Sequence, residues 1–337
     1  RAAREVPHYA EVLAKQARET SNKALQSVLD TAVTALRHLR VDDEPPKRIR
    51  AIFGAPGCGK TAHYLAQIAP SADAIKRGEL AKKVLFVSPT QQLRDDVDGK
   101  IAHPARAVTQ HVALGVLARA ARDGEGYDEI AVDECFMHPL VYIKTLSTLA
   151  PEASIVLLGD PKQIGYIDFS GEMTDSATIN DIIESLSTTL LNATMRCPRD
   201  VVALPFIQRA YPGLTSSSKR ENSIVRVGVD FKDVAAQVLT FTQEEKSRCG
   251  SEGAITVHEA QGRTFSSVIL HYNGTPGEQK LLSLGRHLLV GLTRHTMSLY
   301  IRETGDEVYE AINNDDRVEQ LLGDAPMERL TVAPQYE

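Results

Sequence analysis

The residues with the clearest chemistry lie between Gly54 and Thr61, where the chain reads GAPGCGKT. This is the pattern G-x-x-x-x-G-K-[ST], in which backbone N–H groups wrap around phosphate oxygens. Gly54, Gly57 and Gly59 allow the tight turn, with Ala55, Pro56 and Cys58 between them. Lys60 is placed to reach the β- and γ-phosphates, and the Thr61 hydroxyl to hold magnesium. Asp133 and Glu134 follow in AVDECF. A magnesium–triphosphate site needs an acid for the metal and often a base for the attacking water. Asp133 suits the first role and Glu134 the second. Asp160 and Gln163 come next, in LLGDPKQIG. An amide here could sense a γ-phosphate, although a surface turn fits the same letters. Arg196 and Arg294 lie far downstream, in TMRCPRDV and LVGLTRHT. A cation on the transferring phosphoryl group raises rates by roughly 10³- to 10⁵-fold in finger systems. For two arginines so distant in sequence, that role requires a cleft that closes; taken singly, each reads equally well as a surface ion pair.

These residues need elements that hold them. Short apolar runs, RIRAIF, KVLFVS, EIAVDE and SIVLLGD, alternate with stretches of helix length. That rhythm predicts a parallel sheet covered by helices, with ligands at the carboxyl ends of the strands. A second set, SIVRVGV, AQVLTFT, GAITV, SSVILHY and TMSLYIR, predicts five more strands, and LTSSSKRENS reads as a loop. Before the first strand, Leu25, Val28, Leu29, Ala32, Val33 and Leu36 share one helical face, which predicts a helix from about Pro7 to Arg40. VDDEPPKR, with Pro45 and Pro46, reads as a linker. The fold class expected is α/β: two parallel-sheet domains at 47–190 and 191–337, with a helical N-terminal accessory region at 1–46.

The chain of 337 residues carries a net charge of -6, with 42% hydrophobic and 24% charged residues. Nucleic acid would have to be held by a local groove rather than by the field of the whole molecule. Trp is absent and aromatics are 5%, so a long base-stacking platform is not expected. Cys58, Cys135, Cys197 and Cys249 are far apart, suggesting neither a zinc site nor a disulfide framework. No apolar run has the roughly 18 residues of a membrane span, and no signal peptide is visible.

The motifs GAPGCGKT, VSPTQQLRDDV, AVTQHVAL, VDECF, LLGDPKQIG, TMRCPRDV, TVHEAQGRTF and LVGLTRHT occur in this order. The set resembles superfamily 1 helicases, most closely the viral RNA helicases of alphavirus-like replicase polyproteins. TVHEAQG and LTRHT look nearer to the hepatitis E and rubella type than to the tobamovirus type. The absence of a cysteine-rich segment before the motifs argues against the nidovirus branch. The resemblance implies two RecA-like domains with ATP and Mg2+ between them and RNA across both. It implies arginine fingers at Arg196 and Arg294, and γ-phosphate contacts from Gln261 and Gly262. It implies RNA contacts from Ser88, Pro89, Thr90, Thr109, Gln110 and His111. In TVHEAQGRTF, Thr256 and His258 at a strand end suit contacts to phosphate and to a bound strand, and Tyr166 is the nearest candidate for stacking a base. Single-stranded or tailed duplex RNA, and replicase domains such as a methyltransferase and a polymerase, are the implied partners. The implied location is host cytoplasm, at replication complexes held to membranes by other replicase parts. Three other readings stay open: an RNA 5′-triphosphatase that unwinds weakly, a non-catalytic RNA-binding scaffold, and a cellular DNA helicase.

Overall fold

A computed structural model of the chain describes residues 2–38, 48–69, 81–101, 104–167, 177–314 and 331–332. The linker expected at 41–48 lies, apart from Arg48, outside them. The chain forms two compact units. One comprises Arg1–Ile52, Thr61–Gly159 and Gly165–Thr188; the other comprises Phe53–Lys60, Asp160–Ile164 and Thr189–Glu337.

The first unit opens with two helices, α1 (Ala2–Glu19) and α2 (Lys23–His38), where the apolar periodicity predicts one. The break has a polar cause. Asn22 Oδ1 accepts from the N–H groups of Ala24 and Leu25, at 3.0 and 3.1 Å. That is the N-cap geometry that starts a new helix. Leu29, Ala32, Val33 and Leu36 of α2 are buried, as their shared face requires. A Cβ on Gly115 would lie 2.9 Å from Val28 Cγ1, so a larger residue there would push the helices apart. Glu5 and Lys144 pair at 2.7 Å, both only partly exposed, and tie α1 to the body of the unit.

That body is a parallel sheet in the order β1-β5-β4-β2-β3, made of Ile49–Gly54, Ser154–Gly159, Glu129–Val132, Val84–Ser88 and Arg106–Thr109. Each residue of β2 and β4 is buried, which explains their apolar runs Val84–Val87 and Ile130–Val132: both faces are covered. The covering helices are α3 (Lys60–Ile68), α4 (Gln91–Asp98), α5 (Gln110–Asp123) and α6 (Leu140–Leu149).

The second unit holds a five-stranded parallel sheet, β11-β10-β12-β13-β9, all five of which the sequence predicts. The strands are Ile255–Thr256, Gln237–Thr240, Phe265–Tyr272, His295–Glu303 and Ile224–Val227. Gly291, in helix α11 (Arg286–Leu292), sits over Leu270: an added Cβ would be 2.9 Å from Leu270 Cδ1. Around the sheet lie α7 (Arg199–Val202), α8 (Pro205–Ala210), α9 (Gln243–Arg248), α10 (Pro276–Ser283) and α12 (Glu307–Asn314). Within the expected loop 214–223, only Thr215–Ser216 is extended; as β8 it pairs with β7 (Ala193–Thr194). Strand β6 (Ser187–Leu191) pairs through Thr189 and Leu190 with β14 (Thr331–Val332). The α/β architecture with parallel sheets and a helical N-terminal extension is therefore observed.

Candidate functional site

The phosphate loop leaves buried β1 and turns into α3. Gly57 and Gly59 have φ of +76° and +74°, the left-handed region that side chains disfavour. A Cβ on Gly57 would lie 2.6 Å from both Arg196 Cβ and Thr194 Oγ1; one on Gly54 would lie 2.6 Å from the Leu191 carbonyl. The pattern's glycines thus answer to backbone shape and to neighbours supplied more than a hundred residues later. Thr194 Oγ1 donates to the Pro56 carbonyl at 2.8 Å, and the Met195 N–H to the Gly57 carbonyl at 3.0 Å. Lys60 Nζ donates to the carbonyls of Gly54 at 2.9 Å and Ala55 at 3.4 Å.

Arg196 therefore stands on the loop. Its Nη1 donates to Thr264 Oγ1 at 2.9 Å, and its buried Nε has no hydrogen-bond partner among the described residues. An orphaned cationic donor beside a glycine-lined turn fits an anionic ligand. Cys58 carries no such role. Burial is the main cause that pushes its thiol up to about 12, with Lys60 and Arg196 opposing and Asp160 and Cys197 assisting.

In the first unit, Thr61 Oγ1 donates to Asp133 Oδ2 at 3.1 Å. A hydroxyl and a carboxylate oxygen in contact form a hard donor set that suits Mg2+. Glu134 follows with φ of 47°, in the left-handed region, and its N–H donates to Asp133 Oδ1 at 3.0 Å. A non-glycine residue there costs of order 1 kcal/mol.

Asp160–Ile164 belongs to the second unit and is held from several sides. Gln163 Nε2 donates to Asp160 Oδ2 at 3.0 Å, and Arg294 Nη2 donates to Gln163 Oε1 at 3.2 Å. Arg286 Nη1 donates to the carbonyls of Pro161 and Gln163, both at 2.7 Å. Gln261 Nε2 donates to the Ile164 carbonyl at 3.1 Å, and the adjacent Gly262 has φ of +78°. The structure thus brings together Gln163, Gln261 and Arg294, and separately Arg196 with the loop from Gly54 to Gly59.

The residues expected to touch RNA fall into four groups. Ser88 ends β2 with a buried hydroxyl that has no partner among the described residues; Pro89 follows, and Thr90 caps α4 by accepting from the Leu93 N–H at 3.3 Å. Thr109, Gln110 and His111 form the junction of β3 and α5, where the Gln110 carbonyl accepts from Tyr142 Oη at 2.9 Å. Burial lowers the pKa of His111. Tyr166 is half-buried, close enough to Tyr9 of α1 to add to the burial that raises the Tyr9 phenol. In the second unit Thr256 is buried and bonds reciprocally with Glu259 at 2.8 and 3.2 Å, while burial lowers the pKa of His258.

Three further polar residues surround Gln163: Lys162 inside LLGDPKQIG, and Tyr211 and Arg286 outside every motif. Lys162 is buried, donates to the Ala210 carbonyl, and burial brings its pKa down to about 8 against the opposing pull of Asp160. Lys162 adjoins Gln163 within a recognised motif. Tyr211 and Arg286 offered no local signal.

Known proteins place this geometry in a family. Residues 51–303 match the viral superfamily 1 RNA helicase core domain. Over 319 residues, 94% of the chain, there is 43% identity to the methyltransferase/helicase/RNA-directed RNA polymerase of Helicoverpa armigera stunt virus. Identity to the non-structural polyprotein pORF1 of an avian hepatitis E virus is 32% over 77% of the chain. Identity to the replicase large subunit of Pepper mild mottle virus is 30% over 90% of the chain. The chain spans only 18%, 14% and 19% of these three proteins. Among solved structures, the arterivirus nonstructural protein 10 helicase in complex with DNA aligns with a TM-score of 0.56 at 19% identity, covering 78% of this chain and 63% of that one. The PRRSV helicase aligns at 0.52 and 21% identity, covering 76% and 52%. These two likenesses establish a shared fold. The sequence match over most of the chain establishes more: the chain belongs to the viral superfamily 1 RNA helicases.

Proposed function

We propose that the chain is the ATP-driven RNA helicase segment of a viral replicase. The carrying observation is the convergence on one glycine loop of Lys60, at its end, and Arg196, whose buried Nε has no partner among the described residues. A triphosphate in the loop gives both cations an acceptor. Lys60 leaves the Gly54 and Ala55 carbonyls for the phosphates, and Arg196 takes a phosphate oxygen. Thr61 and Asp133 are the residues that would hold Mg2+, which neutralises phosphate charge when bound. Glu134 accepts a proton from the attacking water, and Gln163 and Arg294 respond to the γ-phosphate. Ser88–Thr90, Thr109–His111, Tyr166, Thr256 and His258 are proposed to grip the strand. Methyltransferase and polymerase segments, named in the Helicoverpa virus relative, are the proposed neighbours in a longer polyprotein. No described helix is long and apolar enough to cross a membrane. The proposed location is a replication complex in the host cytoplasm, anchored by other segments.

The test is ATP hydrolysis with and without single-stranded RNA, beside strand displacement on tailed duplexes. Hydrolysis stimulated by RNA and abolished in Lys60→Ala is expected. Hydrolysis indifferent to RNA would count against a motor. A 5′-triphosphate oligomer as sole substrate reads out the triphosphatase alternative in the same assay.

A further inference from the structure

Tyr211 closes helix α8 and lies outside every recognised motif. It is 5% exposed, and its hydroxyl donates to Asp160 Oδ2. The same oxygen receives Gln163 Nε2 at 3.0 Å, and Gln163 Oε1 receives Arg294 Nη2 at 3.2 Å. Asp160, Gln163 and Arg294 are each no more than 2% exposed. A continuous buried line of hydrogen bonds therefore runs Tyr211–Asp160–Gln163–Arg294.

The line has only one polarity. A carboxylate accepts only and a guanidinium donates only. The Gln163 amide must therefore turn its NH2 to Asp160 and its carbonyl to Arg294. The reverse turn would set carbonyl against carboxylate and NH2 against guanidinium, losing both bonds in a dry environment. Asp160 fixes this choice, and Tyr211 fixes Asp160. The Lys162 N–H holds the other carboxylate oxygen, Oδ1, at 3.0 Å. Lys162 Nζ lies over the Tyr211 ring, 5.2 Å from its centroid, so the phenol is anchored on its face as well as at its tip.

We infer that Tyr211 is a positioning residue for hydrolysis: acting through Asp160, it sets the orientation of the Gln163 amide and hence the place from which Arg294 reaches the transferring phosphoryl group. This rests on the proposed role of Arg294 in hydrolysis. Tyr211→Phe keeps the ring and removes only the donor. Asp160 Oδ2 then binds Gln163 alone, and the carboxylate can swing. The loss belongs to the transition state, so kcat falls while KM for ATP holds.

The experiment is a double-mutant cycle on the whole chain with saturating single-stranded RNA, using wild type, Tyr211→Phe, Gln163→Ala and the double variant. Tyr211→Phe is expected to lower kcat by about 5- to 20-fold with KM for ATP changed less than about twofold, as fits part of one charge-assisted hydrogen bond. In the Gln163→Ala background the same change is expected to cost nothing further. Equal losses with and without Gln163, a rise in KM alone, or an unchanged kcat would each overturn the proposal and leave the helicase reading standing. A wild-type chain that hydrolyses no nucleoside triphosphate overturns the functional reading, and this role with it. Thermal melting of each variant separates unfolding from misplacement: a Tyr211→Phe chain that melts with wild type yet turns over slowly supports positioning.

Discussion

Arg294 Nη2 donates to Gln163 Oε1 at 3.2 Å, joining the last of the sequence motifs to the LLGDPKQIG segment through buried side chains. The guanidinium also donates from Nε to the Val290 carbonyl at 3.2 Å, from Nη1 to the Arg263 carbonyl at 3.4 Å and from Nη2 to Thr293 Oγ1 at 3.3 Å. Directed bonds from all three nitrogens suit the planar fork of arginine and no other side chain. Arg294→Lys keeps a charge but loses the fork. Its kcat for ATP is expected to fall by about 10³-fold, the lower end for a finger residue. Rapid-quench single-turnover hydrolysis measures this, and a fall under about threefold would remove Arg294 from the chemistry.

The Thr61–Asp133 contact makes a separate prediction. Asp133→Asn retains the shape and one acceptor oxygen but loses the charge. The Mg2+ concentration for half-maximal hydrolysis is expected to rise by about 10- to 100-fold, as for loss of a metal-supporting carboxylate. Magnesium titration of the steady-state rate reads it directly. Thr61→Ser keeps the hydroxyl and is expected to stay within about threefold of wild type.

Gly57 tests the loop geometry. Alanine there must accept φ of +76° and put a methyl 2.6 Å from Arg196 Cβ and Thr194 Oγ1. The strain is about 1–3 kcal/mol, and it falls where the phosphates are expected. Gly57→Ala is expected to melt several degrees lower and to lose fluorescent ATP-analogue binding by more than about tenfold. Gly124, with φ of +70° but open space around it, is the control: alanine there is expected to lower the melting temperature and leave binding intact.

Acid sensitivity follows from three histidines, His138, His287 and His295. Burial is the first cause in each case and lowers each pKa to about 4. Folded pKa values below the ordinary value of 6.5 mean that the unfolded chain binds more protons between pH 6.5 and 4. Stability is then fully present above pH 6.5 and falls as pH drops through that window. Each histidine contributes on the order of 3 kcal/mol to the loss, at about 1.4 kcal/mol per pKa unit. Urea unfolding at pH 7, 5.5 and 4.5 checks the slope. His287→Gln is expected to flatten it, and an unchanged slope would deny that His287 is held neutral.

Strands β2, β4 and β5 could be read from the letters because doubly covered strands carry near-continuous apolar runs. Strand β3, Arg106–Thr109, has only two buried residues and left no such run. The break between α1 and α2 falls in the polar run 19–23, ahead of the apolar face from Leu25 to Leu36, and its signal was the capping residue Asn22. Of the site, the glycine loop and the Thr61–Asp133 pair were legible because their chemistry is local or fixed by motif. The bond from Tyr211 to Asp160 spans 51 residues, and nothing in PFIQRAY marks it. Why Gly54 and Gly57 must be glycine was legible only in part: backbone shape is local, whereas the closeness of Leu191, Thr194 and Arg196 is not.

The pairing of β9 with β13 bears on how the chain is made. Ile224 pairs with Leu299 and Val227 with Arg302, so β9 waits on the ribosome for some seventy further residues before its neighbour exists. The phosphate loop waits longer still, since Pro56 meets Thr194 across 138 residues. At about 5–20 residues per second, the nascent chain spends several seconds or more with its glycine loop formed and its arginines unmade. Over that interval the emerging chain carries Lys60 but neither Arg196 nor Arg294, so the hydrolysis proposed above waits for the second unit.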